Sequence, residues 1–173
     1  RLVIIGQDCY HGPNQAIGLA FGIDSQKTKC PPSLANIRRE IKNDLDLELT
    51  DLSLESWAKQ GVLLLNCALS VIKGQARSML KCWKPTTDSI IQELSSTYPN
   101  LVFMLWGGFA HRKEKLLPIS HNHIIFKSVH PSPLSANRGG WFGQKQFSSA
   151  NKALIHLGGY PINCLLYTSD AAD

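Results

Sequence analysis

Residues 2–12 read LVIIGQDCYHG, from Leu2 to Gly12. Four apolar residues give way at once to a glycine, a glutamine, an aspartate, a tyrosine and a histidine. A nearly continuous apolar run of this length fits a strand covered on both sheet faces and is too short for a helix. Three more runs have the same form: Val62–Leu65, Leu101–Leu105 and Ile124–Val129. Helical periodicity fills the gaps between them. Ser33 stands where it can cap a helix that turns Leu34, Ile37 and Ile41 to one side. A short helix holding Leu54 and Trp57 precedes Gly61. Thr87 or Asp88 can cap a third, with Ile90, Ile91 and Leu94 inward. Phe109 to Leu116 reads as a short basic helix, and a last one carries Phe147, Ala150, Leu154 and Leu157 before stopping at Gly158-Gly159. Strand and helix alternate throughout, which predicts one α/β domain: a three-layer α/β/α arrangement around a central four-stranded, parallel, twisted sheet.

Composition agrees. The 173 residues are 43% hydrophobic and 18% charged, a globular balance, with 18 Lys+Arg against 13 Asp+Glu for a formal charge of +5. That charge fits a polyanionic partner and equally an ordinary basic surface. Five cysteines (Cys9, Cys30, Cys67, Cys82, Cys164) are odd in number and lack C-x-x-C spacing, which argues against a zinc knuckle or a disulfide scaffold and for a reducing compartment. No apolar run is long enough for a membrane span, and no basic-then-apolar leader opens the chain, so no membrane association is expected. The chain starts without Met inside an apolar run, and CLLYTSDAAD (164–173) continues no strand or helix pattern. The expectation is a catalytic domain over 1–163 that lacks N-terminal helices, followed by a non-native tail over 164–173.

Chemistry collects where the strands end. Gly6-Gln7-Asp8-Cys9-Tyr10-His11 follows the first run, Asn66 the second, Trp106-Gly107-Gly108 the third and His130-Pro131-Ser132-Pro133 the fourth. In an open parallel sheet all four carboxyl ends share one edge, where ligands bind, so Asp8, Tyr10, His11, Asn66 and His130 should converge on one crevice. Its content limits the reaction. Phosphate-loop, dinucleotide and serine-hydrolase signatures are absent, and His121 and His123 lack the partners of a metal site. An acid and a histidine without metal or covalent nucleophile suit water activation on one side and anion stabilisation on the other. Neither a metal nor another cofactor is expected. Asn66 offers one donor and one acceptor, enough to read a base edge. Phe21 reads either as a base-stacking ring or as a core residue. Leu134, on the proline-stiffened stretch PSPLSANRGGWF (131–142), reads either as an apolar wedge for a base step or as a side chain folded inward. Arg138 and Lys145 nearby can meet phosphates.

At these residues the chain resembles the family 1 uracil-DNA glycosylases. The strings that carry the likeness are GQDCYHGPNQAIGLAF (6–21), PPSLANI (31–37), WAKQGVLLLN (57–66), LVFMLWG (101–107) and HPSPLSANRGGWFG (130–143). The resemblance implies an enzyme that flips uracil out of DNA and hydrolyses its N-glycosidic bond, leaving an abasic site. Asp8 would activate water and stabilise the cationic sugar, and His130 would donate to uracil O2. Asn66 would read N3–H and O4, Phe21 would stack, the Tyr10 ring would exclude thymine's methyl group, and Gln7 would give a backbone contact. Leu134 would enter the base stack. Ser33, Ser132 and the Gly107-Gly108 backbone would grip phosphates, with Ser135, His11 and Arg138 also on the DNA side. A neutral His130 would serve the uracil anion better than imidazolium.

The partners implied are uracil-containing DNA, single- or double-stranded, free uracil as product, and DNA-mimicking protein inhibitors. A monomer is expected, in a bacterial cytoplasm, or in a nucleus or mitochondrion if the source is eukaryotic. The chain also departs from the family pattern. Cys9 replaces a proline beside Asp8, at a cost of roughly 0.4–1 kcal/mol in loop preorganisation. Ile17 and Met79 stand where histidine is usual, Gly108 where serine is common, and the absent helical layer would leave a packing face exposed. The competing readings are an inactive or unstable DNA-binding fragment of the same family and a glycosylase with another base preference.

Overall fold

A computed structural model describes residues 1–164; the expected tail lies almost wholly outside the described residues. Four parallel strands, β1 (Leu2–Asp8), β2 (Val62–Ala68), β3 (Val102–Trp106) and β4 (Ile124–Ser128), form one sheet in the order β2-β1-β3-β4. Among the described residues six α-helices accompany them: α1 (Pro32–Leu45), α2 (Glu55–Lys59), α3 (Leu80–Thr97), α4 (Gly108–His111), α5 (Pro133–Ala136) and α6 (Gln146–His156).

Strand alternation divides the core. Leu2, Ile4, Leu64, Val102 and Met104 face one side and pack with Leu34, Ile37 and Ile41 of α1, Trp57 of α2 and Phe147, Ala150 and Leu154 of α6. Val3, Ile5, Leu65, Phe103 and Leu105 face the other and pack with Ile91 of α3 and Ala110 of α4. Helices on both faces make three layers, which is why each strand reads as a continuous apolar run. The expected bare face reduces, among the large apolar strand side chains, to Leu63 on the outer strand β2, 36% exposed.

Several boundaries differ from the sequence reading. β1 runs on through Gly6, Gln7 and Asp8, and β2 through Asn66, because Gly6 pairs with Asn66 and Asp8 with Ala68; these site residues stand on strand ends, not in loops. Ser33 does not cap α1. Pro31 occupies that position without a side-chain cap, and Pro32 starts the helix, where a missing N–H costs nothing. α3 begins at Leu80, upstream of the expected Thr87 or Asp88 cap, and carries Pro85 inside it. Tertiary hydrogen bonds hold that first stretch in place: Trp83 Nε1 donates to Ser70 Oγ at 2.7 Å and Thr87 Oγ1 to the Cys67 carbonyl at 2.9 Å. Of the residues expected inward, Ile91 is buried and Ile90 exposed. The basic helix at 109–116 is two pieces, α4 and a 3-10 turn over Arg112–Leu116.

Chain order places β1 and β3 side by side although β2 comes between them in sequence. The carboxyl ends of those two strands are the switch point where an open α/β sheet opens a crevice.

Candidate active site

The crevice is there. A cleft of about 1320 Å³ lies across the carboxyl edge, and every residue expected at the site lines it: Gln7, Asp8, Tyr10, His11, Phe21, Ser33, Asn66, Gly107, Gly108, His130, Ser132, Leu134, Ser135 and Arg138. Lys145 does not; it precedes α6 with φ 50°.

Asp8 ends β1, and its carboxylate is held by the connection after the neighbouring strand β2: the Arg77 backbone N–H donates to Oδ2 at 2.6 Å. Gln7 Nε2 reaches Oδ1 at 3.4 Å. One oxygen is thus fixed by a charge-assisted bond while the other is only loosely engaged.

His130 lines the same cleft, close enough to Asp8 to feel its charge. The Ser132 backbone N–H donates to its Nδ1 at 3.0 Å, so that nitrogen carries the lone pair and Nε2 carries the proton. Burial pushes this imidazole below the usual histidine range, although nearby Asp8 pulls the other way. The ring is therefore neutral at pH 7, with a single N–H donor left over. Gly107, at φ 91°, permits the approach: a Cβ there would meet the His130 Cβ at 3.0 Å.

Asn66 is buried as a residue, 9% exposed, and lines the cleft, with no hydrogen bond to its side-chain amide among the described residues. A cleft-facing amide that makes no hydrogen bond within the protein is free to bond a ligand. Gly6 makes its position possible, since a Cβ at Gly6 would lie 2.3 Å from Asn66 Oδ1. Phe21 belongs to the core, as one of its two readings has it, and it also lines the cleft. Its ring packs on Trp106 at 5.1 Å and lies 5.9 Å from the His130 ring. Its φ of 67° is unusual for a bulky residue. Trp106 is fixed in turn by its Nε1, which donates to the buried Gln146 Oε1 at 2.6 Å. Tyr10 donates to the Phe21 carbonyl at 3.2 Å, and burial pushes its phenol well above the usual tyrosine range, so it stays an uncharged wall.

The two readings of Leu134 separate here. It sits on α5, a single turn, 78% exposed and lining the cleft, so it is not folded inward. Cys9 lines the cleft beside Asp8 as a thiol, its ionisation made harder by burial. Ile17 and Met79 are not among the lining residues, although Ala16 and Gly18 are. His123 is a structural residue. It accepts from Leu101 N–H at 3.2 Å and bonds the Ser95 carbonyl at 3.0 Å. No group of three metal-ligating side chains is assembled among the described residues.

Sequence reasoning missed Arg77 and His111, which also line the cleft. The strand-end rule stopped at Asn66; carried through the rest of the β2–α3 connection, it reaches Arg77.

Comparison with known proteins bears on this geometry. The family model described as the uracil DNA glycosylase superfamily matches residues 1–155. A uracil-DNA glycosylase of Enterococcus faecalis is 52% identical over 165 residues, covering 94% of this chain and 72% of the relative. One from Flavobacterium johnsoniae is 51% identical over 160 residues, covering 91% and 72%. Among solved structures, mimivirus uracil-DNA glycosylase superposes with a TM-score of 0.85 at 27% identity, covering 94% of this chain and 66% of that one. A mimivirus UNG in complex with UGI gives 0.85 at 26% identity, covering 94% and 68%.

Proposed function

The chain belongs to the uracil DNA glycosylase superfamily, and from that premise we propose that this cleft removes uracil from DNA by hydrolysing its N-glycosidic bond, as a step of base excision repair. The products are free uracil and an abasic site. The observation that carries the reading is that Asp8, a neutral His130 and the Asn66 amide, which makes no hydrogen bond among the described residues, line one cleft.

The mechanism follows from the geometry. Extruding a nucleotide costs a few kcal/mol of stacking and pairing, which the Phe21 ring, the Asn66 amide and Leu134 entering the vacated stack offset. As the glycosidic bond lengthens, the sugar gains positive charge and the base negative charge. Asp8, already oriented by Arg77 N–H, stabilises the first and directs water to the anomeric carbon. His130 Nε2–H stabilises the second by hydrogen bonding, without giving up its proton. Tyr10 closes the pocket where a 5-methyl group would sit. Ser33, Ser132, Ser135 and the Gly107-Gly108 backbone take phosphates, with His11 and Arg138 on the rim.

A monomer suffices for this chemistry, since every group comes from one chain. A DNA-mimicking inhibitor would occupy the same cleft, and the mimivirus UNG complex with UGI supports that reading. A bacterial cytoplasm is the proposed compartment, supported by the described cysteines all being free thiols. The test is product identity. Incubation with an oligonucleotide holding one deoxyuridine should liberate free uracil, seen by chromatography, while thymine- and cytosine-containing controls liberate no base. Release of another base in preference to uracil would overturn the proposal.

A further inference from the structure

We propose that Arg77 is a DNA-phosphate contact on the wall of the cleft opposite Arg138, and that it ties strand binding to the residue that orients Asp8. The inference rests on the glycosylase reading. Three observations carry it.

Arg77 and Arg138 are the arginines that line the cleft, and both are exposed. They stem from opposite edges of the sheet, Arg77 after β2 and Arg138 after β4. Three strand intervals separate those ends, roughly 14 Å at the usual spacing. A nucleic-acid strand laid over the carboxyl edge is therefore bracketed by one guanidinium on each side. The Arg77 guanidinium is also unengaged: among the described residues it has no ion pair, no ring contact and no side-chain hydrogen bond. Asp8 is bonded through the Arg77 backbone, not through its side chain.

The backbone at Arg77 is held in an uncommon conformation. Its φ is 66°, a left-handed value that a long side chain rarely adopts. The loop is laced in place around it. Gly74 N–H donates to the His11 carbonyl at 3.0 Å, and Ile72 N–H donates to Ser78 Oγ at 2.9 Å. Arg77 is thus the point where one residue presents a backbone donor inward to Asp8 and a free cation outward. A phosphate on that cation anchors the loop that positions the carboxylate.

Salt dependence of DNA binding tests this, because each phosphate neutralised contributes roughly 0.9 to the slope of log K against log salt for duplex and 0.7 for single strands. The full chain is titrated by fluorescence anisotropy with a duplex lacking uracil, so that catalysis plays no part. Arg77→Asn keeps the backbone N–H and tolerates the left-handed φ. It should weaken binding several-fold at low salt and lower the slope by about 0.9, and Arg77→Lys should restore most of it. Lys73→Gln, on the same loop but outside the cleft, should leave the slope as in the parent. An unchanged slope for Arg77→Asn overturns the assignment. So does an equal drop for Lys73→Gln, which would make the effect one of net charge. Uracil release by the parent with an unchanged Arg77→Asn slope sinks this proposal alone; a parent without DNA affinity sinks it together with the glycosylase reading.

Discussion

Asp8, Asn66 and Tyr10 do three separable jobs in this account, and each has its own substitution. Asp8→Asn keeps the shape and the bond from Arg77 N–H but removes the charge beneath the sugar. It should cut kcat by roughly 10²- to 10⁴-fold while DNA affinity stays within about twofold of the parent. Asn66→Asp replaces a donor with an acceptor, so cytosine, whose N4 amino group donates, should become a substrate in a base-release assay. Tyr10→Ala opens the pocket wall and should admit thymine; continued refusal would place that filter elsewhere. His130 adds a pH signature. Its imidazole is depressed by burial, so the neutral donor persists to lower pH than an ordinary histidine allows, and the acid limb of kcat/KM should lie below the ordinary histidine value. These residues were legible in the sequence because each follows a short apolar run at the same sheet edge. Two things were not. The Asn66 approach depends on the missing Cβ of Gly6 across the strand pair, and Arg77 acts on Asp8 through its main chain. Main-chain contacts leave no mark in residue type.

At the scale of elements, α1 does more than cover the sheet. Asn36, Glu40 and Asp44 stand four residues apart on one row of the helix, and each holds the segment after β4. Asn36 Nδ2 donates to the Pro131 carbonyl at 2.8 Å, and Trp141 Nε1 donates to the Asn36 carbonyl at 3.1 Å. Glu40 accepts from Gly143 N–H at 3.0 Å. Asp44 caps α6 from outside it, accepting from Phe147 N–H at 3.0 Å, Ser148 N–H at 2.9 Å and Ser148 Oγ at 2.6 Å. The loop bearing His130, Ser132 and Leu134 is therefore pinned by one helix. Asp44→Ala should cost about 1–2 kcal/mol, seen as a Tm lower by roughly 2–8 °C, with the cleft chemistry intact. The apolar stripe of α1 was readable as Leu34, Ile37 and Ile41, whereas this polar row was not, since hydrogen bonds across some hundred residues follow no local period. α3 shows the converse. Thr87 or Asp88 is the expected cap, yet α3 starts at Leu80 with Pro85 inside it, and Ser70 and Cys67 on the β2 side bond Trp83 and Thr87 across that stretch.

For the molecule as a whole, the parallel sheet and its two helical layers followed from periodicity, since strands buried on both faces leave long apolar runs. Charge was less informative than arrangement: the excess of five positive charges fits a DNA partner, but the cleft supplies its specificity. Stability should depend on pH through two histidines. Burial lowers both His123 and His130 below the unfolded value, so the unfolded chain takes up protons first as pH falls. Stability is then complete above about pH 6.5 and drains away below it. A Tm that holds from pH 8 to 7 and falls by pH 5.5, with a smaller fall in His123→Gln, is the expected pattern. The central claim is that Asp8 and a neutral His130 in this cleft break the bond between uracil and deoxyribose. Single-turnover incubation with a duplex bearing one deoxyuridine, followed by hot alkali, measures it most directly. The parent chain should give strand scission at that one position, and Asp8→Asn almost none at equal DNA occupancy. Intact strands after parent treatment, with the DNA fully bound, or scission by Asp8→Asn at the parent rate, would contradict it.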